Sequence, residues 1–222
     1  MKPVDIARNY ISEGSNVIDI GAFSGGFCIP ISKHIGDKGY IYAFEPIPEQ
    51  FDIINTKIKK EKLSNIRLEQ KAIWDKSEYV LFEVSRKKSS SSFAQKFIQN
   101  HKDRNIAGFD DPESYKIKIK TVKFTEYFTD QKIDFIKCDA QGTDFDIIYS
   151  AHDFIDKNRP TVFMEYTNFA YEEGTNEILY KMFNKMNYTL YGNIGSQELF
   201  PLNNPDSLNK VWDILAVPSG AI

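Results

Sequence analysis

Residues 17–27 read VIDIGAFSGGF: an apolar run carrying Asp19, a turn studded with Gly21, Gly25 and Gly26, then the entry to a new element. A short apolar run bounded by glycine suits a strand covered on both faces, and the glycines suit a tight strand-to-helix turn. In an open α/β sheet such a corner lies where ligands bind. It can carry a phosphate, a dinucleotide, a nucleoside or no ligand, and the rest of the chain decides among them.

Outward from this corner, apolar runs alternate with amphipathic segments. NVIDI (16–20) is followed by a predicted helix over about 25–35, then GYIYAF (39–44). PEQFDIINTKIKKEKL repeats Phe51, Ile54 and Ile58 at helical spacing and leads into NIRLEQ. EYVLFEVS (78–85) reads as a strand, and YKIKIKTV (115–122) alternates with period two. IDFIKCD (133–139) is a buried-type strand, TDFDIIYSAHDFI a helix, PTVFMEY (160–166) a strand and TNEILYKMFNKM a helix, before YTLYG and VWDILAVP close the chain. The alternation predicts a mostly parallel sheet with helices on both faces, closed by an antiparallel C-terminal hairpin. Residues 1–14 are expected to form a leading helix ended by Gly14.

The 222 residues, 41% hydrophobic and 14% aromatic, suffice for one large core, so a single domain over 1–222 is expected. A formal charge of -3 offers no global field for polyanions, and composition does not indicate a nucleic-acid partner. Cys28 and Cys138 lie in apolar stretches and the three histidines lack zinc spacing, which fits a reduced, cytoplasmic protein. MKPVDIARNYI has no apolar run after its lysine, so no signal peptide is expected, and with no run of about 18 uncharged apolar residues no membrane span is expected either.

The glycine turn can then be narrowed. Gly21 and Gly26 have the spacing of a triphosphate loop, but Phe27 and Cys28 follow where Lys and Ser/Thr are needed. Phe23 stands at the middle glycine of a dinucleotide fingerprint, where its ring obstructs a pyrophosphate. Glu45, closing the next strand, suits the two hydroxyls of a ribose. Asp19 repels phosphate and suits a cationic ligand, so a sulfonium nucleoside, S-adenosylmethionine, fits better than NAD. Asp19, Glu45, Asp139 and Glu165 all fall at or near strand ends, and four acids at one sheet edge make a site.

VIDIGAFSGGF, AFEPIPEQF, KAIWDKSE, the SSSSF loop, IDFIKCDAQGTDFDIIYSA and PTVFMEY follow the order and spacing of the FkbM family of S-adenosylmethionine-dependent methyltransferases, which the chain resembles over roughly residues 15–218. Around Asp139 it keeps Lys137, Asp139 and Gly142 of the family pattern, with Asp144 in place of a glutamate and Gln141 in place of an acid. The resemblance implies a Rossmann-like class I methyltransferase fold, with a mostly parallel seven-stranded sheet, and O-methylation of a hydroxyl on a sugar, glycan, polyketide or similar metabolite. It implies that Asp19, Gly21 and Gly25, with Ala22 and Phe23 in the same loop, line the methionine end of the cofactor. Glu45 would hold the ribose, Ala72 and Ile73 would border the adenine, and Pro46 or Ile47 would cover its other face.

A sugar hydroxyl needs a group to take its proton. Asp139 is the first candidate, as that base or as a ligand for a divalent cation; Glu165 shares the role, and Lys137 pairs with Asp139 or tunes it. Gln141 in place of an acid argues against a metal. Substrate choice is expected in the insertion 86–114, where Ser91, Ser92 and Phe93 offer hydroxyls and a ring, together with Gln141. Lys116, Lys118 and Lys120 share one strand face, read either as a solvated edge or as a patch for an anionic acceptor. Two alternatives stay open: a ribose 2'-O-methyltransferase acting on RNA, and a non-catalytic S-adenosylmethionine-binding protein.

Overall fold

The structure, a computed structural model, describes residues 2–84, 113–166, 171–194 and 198–220. Ser91, Ser92 and Phe93, and nearly all of the expected 86–114 insertion, lie outside the described residues.

The glycine corner joins β1 (Asn16–Ile20) to α2 (Cys28–Ile35), after a leading α1 (Pro3–Ala7). Next come β2 (Tyr40–Phe44), α3 (Pro48–Glu61), β3 (Ile66–Glu69), β4 (Ala72–Trp74) and β5 (Tyr79–Val84). β6 (Tyr115–Lys123) runs into the short α4 (Phe124–Tyr127), followed by β7 (Phe135–Cys138), α5 (Asp144–Ser150), α6 (His152–Asn158) and β8 (Thr161–Glu165). The chain ends with α7 (Thr175–Lys185), β9 (Tyr188–Asn193), β10 (Phe200–Pro201), a 3-10 turn over Pro205–Lys210 and β11 (Asp213–Pro218). The main sheet has the order β10-β9-β11-β8-β7-β1-β2-β3. Its β3-β2-β1-β7-β8 half is parallel, and β11, β9 and β10 continue it in antiparallel pairs.

Strict alternation sorts each central strand onto two cores. Ile18, Ile20, Ile136, Cys138, Val162, Met164, Ile214 and Ala216 face one cluster. Val17, Phe135, Phe163, Leu215 and Val217 face the other, against α1 and α2. On the first side Phe128 packs edge-on against Phe44, and Phe124 and Phe128 both pack against Phe154, pinning α4 and the chain after it to the sheet.

The Rossmann-like prediction holds, with three differences in the sheet and the helices that cover it. Eight strands replace seven because Phe200–Pro201 adds a two-residue strand beside β9. EYVLFEVS and YKIKIKTV leave the main sheet altogether: β5 and β6 pair with each other, and β4 joins β6. The predicted single helix over TDFDIIYSAHDFI divides at Ala151, whose N–H is shared between the carbonyls of Ile147 and Ile148 at 3.1 Å each; such sharing tightens a turn and interrupts the ladder. The leading helix is also shorter than expected, Pro3–Ala7, and turns carry the chain from Arg8 to β1.

Candidate active site

β1, β2 and β7 end side by side, and a cleft opens beyond them. It holds about 740 Å³ of atom-free space, partly open to solvent, and is lined by Gly21, Phe23, Glu45, Pro46, Ile47, Ala72, Ile73, Phe82, Asp139 and Gln141, among others. Its largely apolar wall with a few convergent polar groups is that of a small-molecule site.

The glycine turn is held by β2. The N–H groups of Gly21 and Ala22 both donate to the carbonyl of Phe44, at 3.1 and 3.0 Å. Gly21 has φ +74°, and Phe23 adopts φ 49° without being glycine. That strained turn aims the Phe23 N–H at Glu45 Oε2 (2.7 Å), while Ile47 N–H donates to Glu45 Oε1 (2.9 Å). The carboxylate is thus fixed at both oxygens in the cleft wall. Burial pushes it up to about 7, although the two backbone N–H groups oppose the rise.

Lys137 lies beneath the turn rather than in the cleft. Its ammonium donates to the Gly21 carbonyl at 2.7 Å, sits 3.2 Å from Asp19 Oδ1 and is 3.7 Å from Asp139 Oδ2. Burial opposes the lysine's charge, but Asp19 and then Asp139 outweigh it and raise its affinity for the proton. Asp19, Ala22 and Gly25 are likewise not in the cleft wall, and Asp19 is fully buried behind the turn. Of the residues expected to line the cofactor, Gly21, Phe23, Glu45, Pro46, Ala72, Ile73 and Asp139 do line the cleft.

The second strand end is shaped by Asp144, which is fully buried. It accepts from the N–H of Ala140 (2.7 Å) and of Gly142 (3.2 Å), and Thr143 Oγ1 donates to the Ala140 carbonyl. This closes a turn in which Gln141 and Gly142 both have positive φ, 52° and 90°. Gln141 is thereby turned back over the strand ends, where its amide nitrogen donates to Asp139 Oδ1 (2.9 Å) and to Glu165 Oε2 (3.1 Å). Glu165 is pushed up to about 9 by burial and then by the charges of Asp144, Asp139 and Asp213. These surroundings favour its neutral form. Asp139 is the carboxyl with an open face, its side chain 40% exposed.

Sequence reasoning missed two groups here. Phe82 enters the cleft wall from β5, whose place beside the site depends on a pairing with β6 that no local pattern shows. Asp213 lies beside Glu165 because β11 runs antiparallel, placing the start of its strand at this edge; its acid preceding an apolar strand was the available signal. His34 and His152 sit on α2 and α6 and do not line the cleft. Among the described residues no group of three or more His, Cys, Asp or Glu is arranged to hold a metal ion, and no helix is long and apolar enough to cross a membrane.

The family model described as the methyltransferase FkbM domain matches residues 19–192. A methyltransferase FkbM structure from Methylobacillus flagellatus superposes with TM-score 0.56 at 13% identity, covering 93% of this chain and 44% of that one. The chain therefore spans less than half the length of that relative. A Streptococcus mutans structure in complex with SAH superposes with TM-score 0.52 at 11% identity, covering 97% of this chain and 98% of that one. At these identities the likeness is one of fold. No curated protein sequence matches.

Proposed function

The chain belongs to the FkbM methyltransferase family, and from that premise we propose that it transfers a methyl group from S-adenosylmethionine to a hydroxyl of a sugar, glycan or related metabolite. The residues present fit the cofactor. Glu45 is a buried carboxylate oriented by two backbone N–H groups in the cleft wall, with lone pairs left for ribose hydroxyls. Ile47, Ala72, Ile73 and Phe82 supply apolar walls suited to a base. When bound, the cofactor supplies an electrophilic methyl on a good sulfonium leaving group.

What remains for the protein is to place an acceptor oxygen, exclude water and take a proton. The observation that carries the reading is Asp139, a carboxylate with an open face at the cleft, oriented by Gln141 and flanked by Lys137. Asp139 acts as the base. Glu165, whose neutral form is favoured by burial and by the neighbouring carboxyls, serves instead as a hydrogen-bonding neighbour, and Lys137 positions the turn rather than touching substrate. The RNA reading gains nothing from the lysine stripe. Lys116, Lys118 and Lys120 are exposed and alternate with Ile117 and Ile119, which share the inner cluster with Phe82; the lysines therefore face away from the cleft.

The test combines calorimetry with S-adenosylmethionine and S-adenosylhomocysteine and a turnover assay on Asp139→Asn. Retained cofactor affinity with transfer abolished is expected. Loss of both together would assign Asp139 to the cofactor pocket and remove the base, and a wild-type protein that binds neither ligand would overturn the reading outright.

A further inference from the structure

The register of the main sheet builds a polar row that runs away from the cleft. Cys138 pairs with Met164, so Asp139, whose N–H continues the ladder to Ile20 at 3.1 Å, lies level with Glu165. Glu165 pairs with Asp213, and Asp213 with Asn193. All four share the sheet face of Phe135, Phe163, Leu215 and Tyr191, each an even number of residues away along its own strand. With strands about 4.8 Å apart, neighbouring members of the row stand at about the separation of two substituents on one sugar ring, and the whole row spans some 14 Å.

Two observations say that the row faces a ligand. Asn193 is fully buried, yet neither its amide nitrogen nor its amide oxygen has a hydrogen-bond partner. It lies close enough to Asp213 to favour that carboxylate's charge without bonding it in good geometry. An amide left this way costs free energy that a bound polar group would recover. The second observation is the charge balance. Three carboxyls stand on adjacent strands, and Lys137, the lysine that acts on all of them, is already engaged by Asp19 at 3.2 Å. Burial and mutual repulsion push Glu165 up to about 9 and Asp213 up to about 6.

We propose that the row Asp139, Glu165, Asp213 and Asn193 is an acceptor subsite that takes a hydroxylated ligand bearing an ammonium group, an amino sugar or a comparable amino alcohol. It rests on the reading of Asp139 as the base for a hydroxyl. The acceptor hydroxyl lies at Asp139, the ammonium lies between Glu165 and Asp213, and Asn193 closes the far end with one donor and one acceptor. An anionic acceptor is repelled by the same row, so phosphorylated ligands are poor.

The test uses methyl glucosaminide, methyl glucoside and glucose 6-phosphate as probes, titrated into the protein saturated with S-adenosylhomocysteine and assayed for methylation with S-adenosylmethionine. The amino sugar should bind at least about tenfold more tightly than the neutral glycoside, which is 1.4 kcal/mol, and the phosphate least of all. Asp213→Asn should remove that preference, and Asn193→Ala should weaken both glycosides, while S-adenosylhomocysteine affinity stays at the wild-type value and so certifies the fold. Equal binding of the three probes, a preference that survives Asp213→Asn, or no binding of any probe overturns the subsite. Oxygen methylation without an amine preference leaves the proposed function standing; loss of all oxygen methylation overturns that function instead.

Discussion

Lys137 on β7 donates to the carbonyl oxygen of Gly21 at 2.7 Å, so a buried ammonium ties the glycine turn of one strand to the strand beside it. Because the same ammonium is 3.2 Å from the fully buried Asp19, removing it leaves a carboxylate without compensation. Lys137→Met should lower stability by about 3–5 kcal/mol and release the turn. Adding Asp19→Asn removes the stranded charge and should recover at least half of that loss, measured by denaturant unfolding of both single variants and the double.

Gly21 also meets β7 through its missing side chain. A Cβ there would fall 1.9 Å from the Asp139 carbonyl oxygen, and the residue has φ +74°. The backbone conformation alone costs roughly 1–2 kcal/mol for alanine, and the contact is with backbone, which has little room to yield. Gly21→Ala should therefore push the strand ends apart and abolish cofactor binding by calorimetry. By contrast, a Cβ at Gly26 meets nothing within 4 Å, so Gly26→Ala should bind nearly as wild type.

These two contacts show why the corner is legible in the sequence and its partners are not. Strand and helix periods are local, and VIDIGAFSGGF, GYIYAF and IDFIKCD announce themselves within a few residues. Asp19, Glu45, Asp139 and Glu165 can be found because each lies at or near the end of a parallel strand. Asp213 opens an antiparallel one, and its meeting with Glu165 depends on a register that no local pattern encodes. Sequence proximity pairs Lys137 with Asp139, whereas its shorter contacts are to Asp19 and Gly21, set by the pairing of β1 with β7. The role of Gln141 depends on the positive φ of two consecutive residues, which Asp144 imposes from three residues downstream.

Phe128 is 2% exposed and touches the rings of Tyr42, Phe44, Phe124 and Phe154. Phe128→Ala should cost about 3–5 kcal/mol with no polar group disturbed. Equilibrium unfolding checks it. A loss below about 1 kcal/mol would mean that this aromatic cluster can collapse into the space left behind.

Glu45 gives the free protein and its complex opposite pH dependences. Its folded value of about 7 lies above the ordinary 4.5, so folding takes up a proton between those values. Stability of the free protein should fall as pH rises from about 4.5 to 7, by on the order of 3 kcal/mol from this group. Ribose hydroxyls donate best to the ionised carboxylate, so affinity for S-adenosylhomocysteine should be constant above pH 7 and fall by up to about tenfold for each further step of one in pH below it. Glu45→Gln should bind more weakly and lose both dependences. Calorimetry and thermal unfolding across about pH 5.5 to 8.5 read the two trends.

Gln141 donates one amide nitrogen to two carboxyls, Asp139 and Glu165, at 2.9 and 3.1 Å. Gln141→Glu keeps the shape but replaces that donor with a third negative charge beside the base. Like charges at such separations repel, so the new carboxylate turns from Asp139 and leaves the base without the donor that orients it. Transfer should drop about tenfold or more. Gln141→Leu removes the donor without adding charge, leaves Asp139 free to turn and should lose a similar share of the rate. Turnover of both variants at saturating S-adenosylmethionine, with cofactor affinity read by calorimetry, checks it: wild-type turnover in either would show that the amide does not orient Asp139.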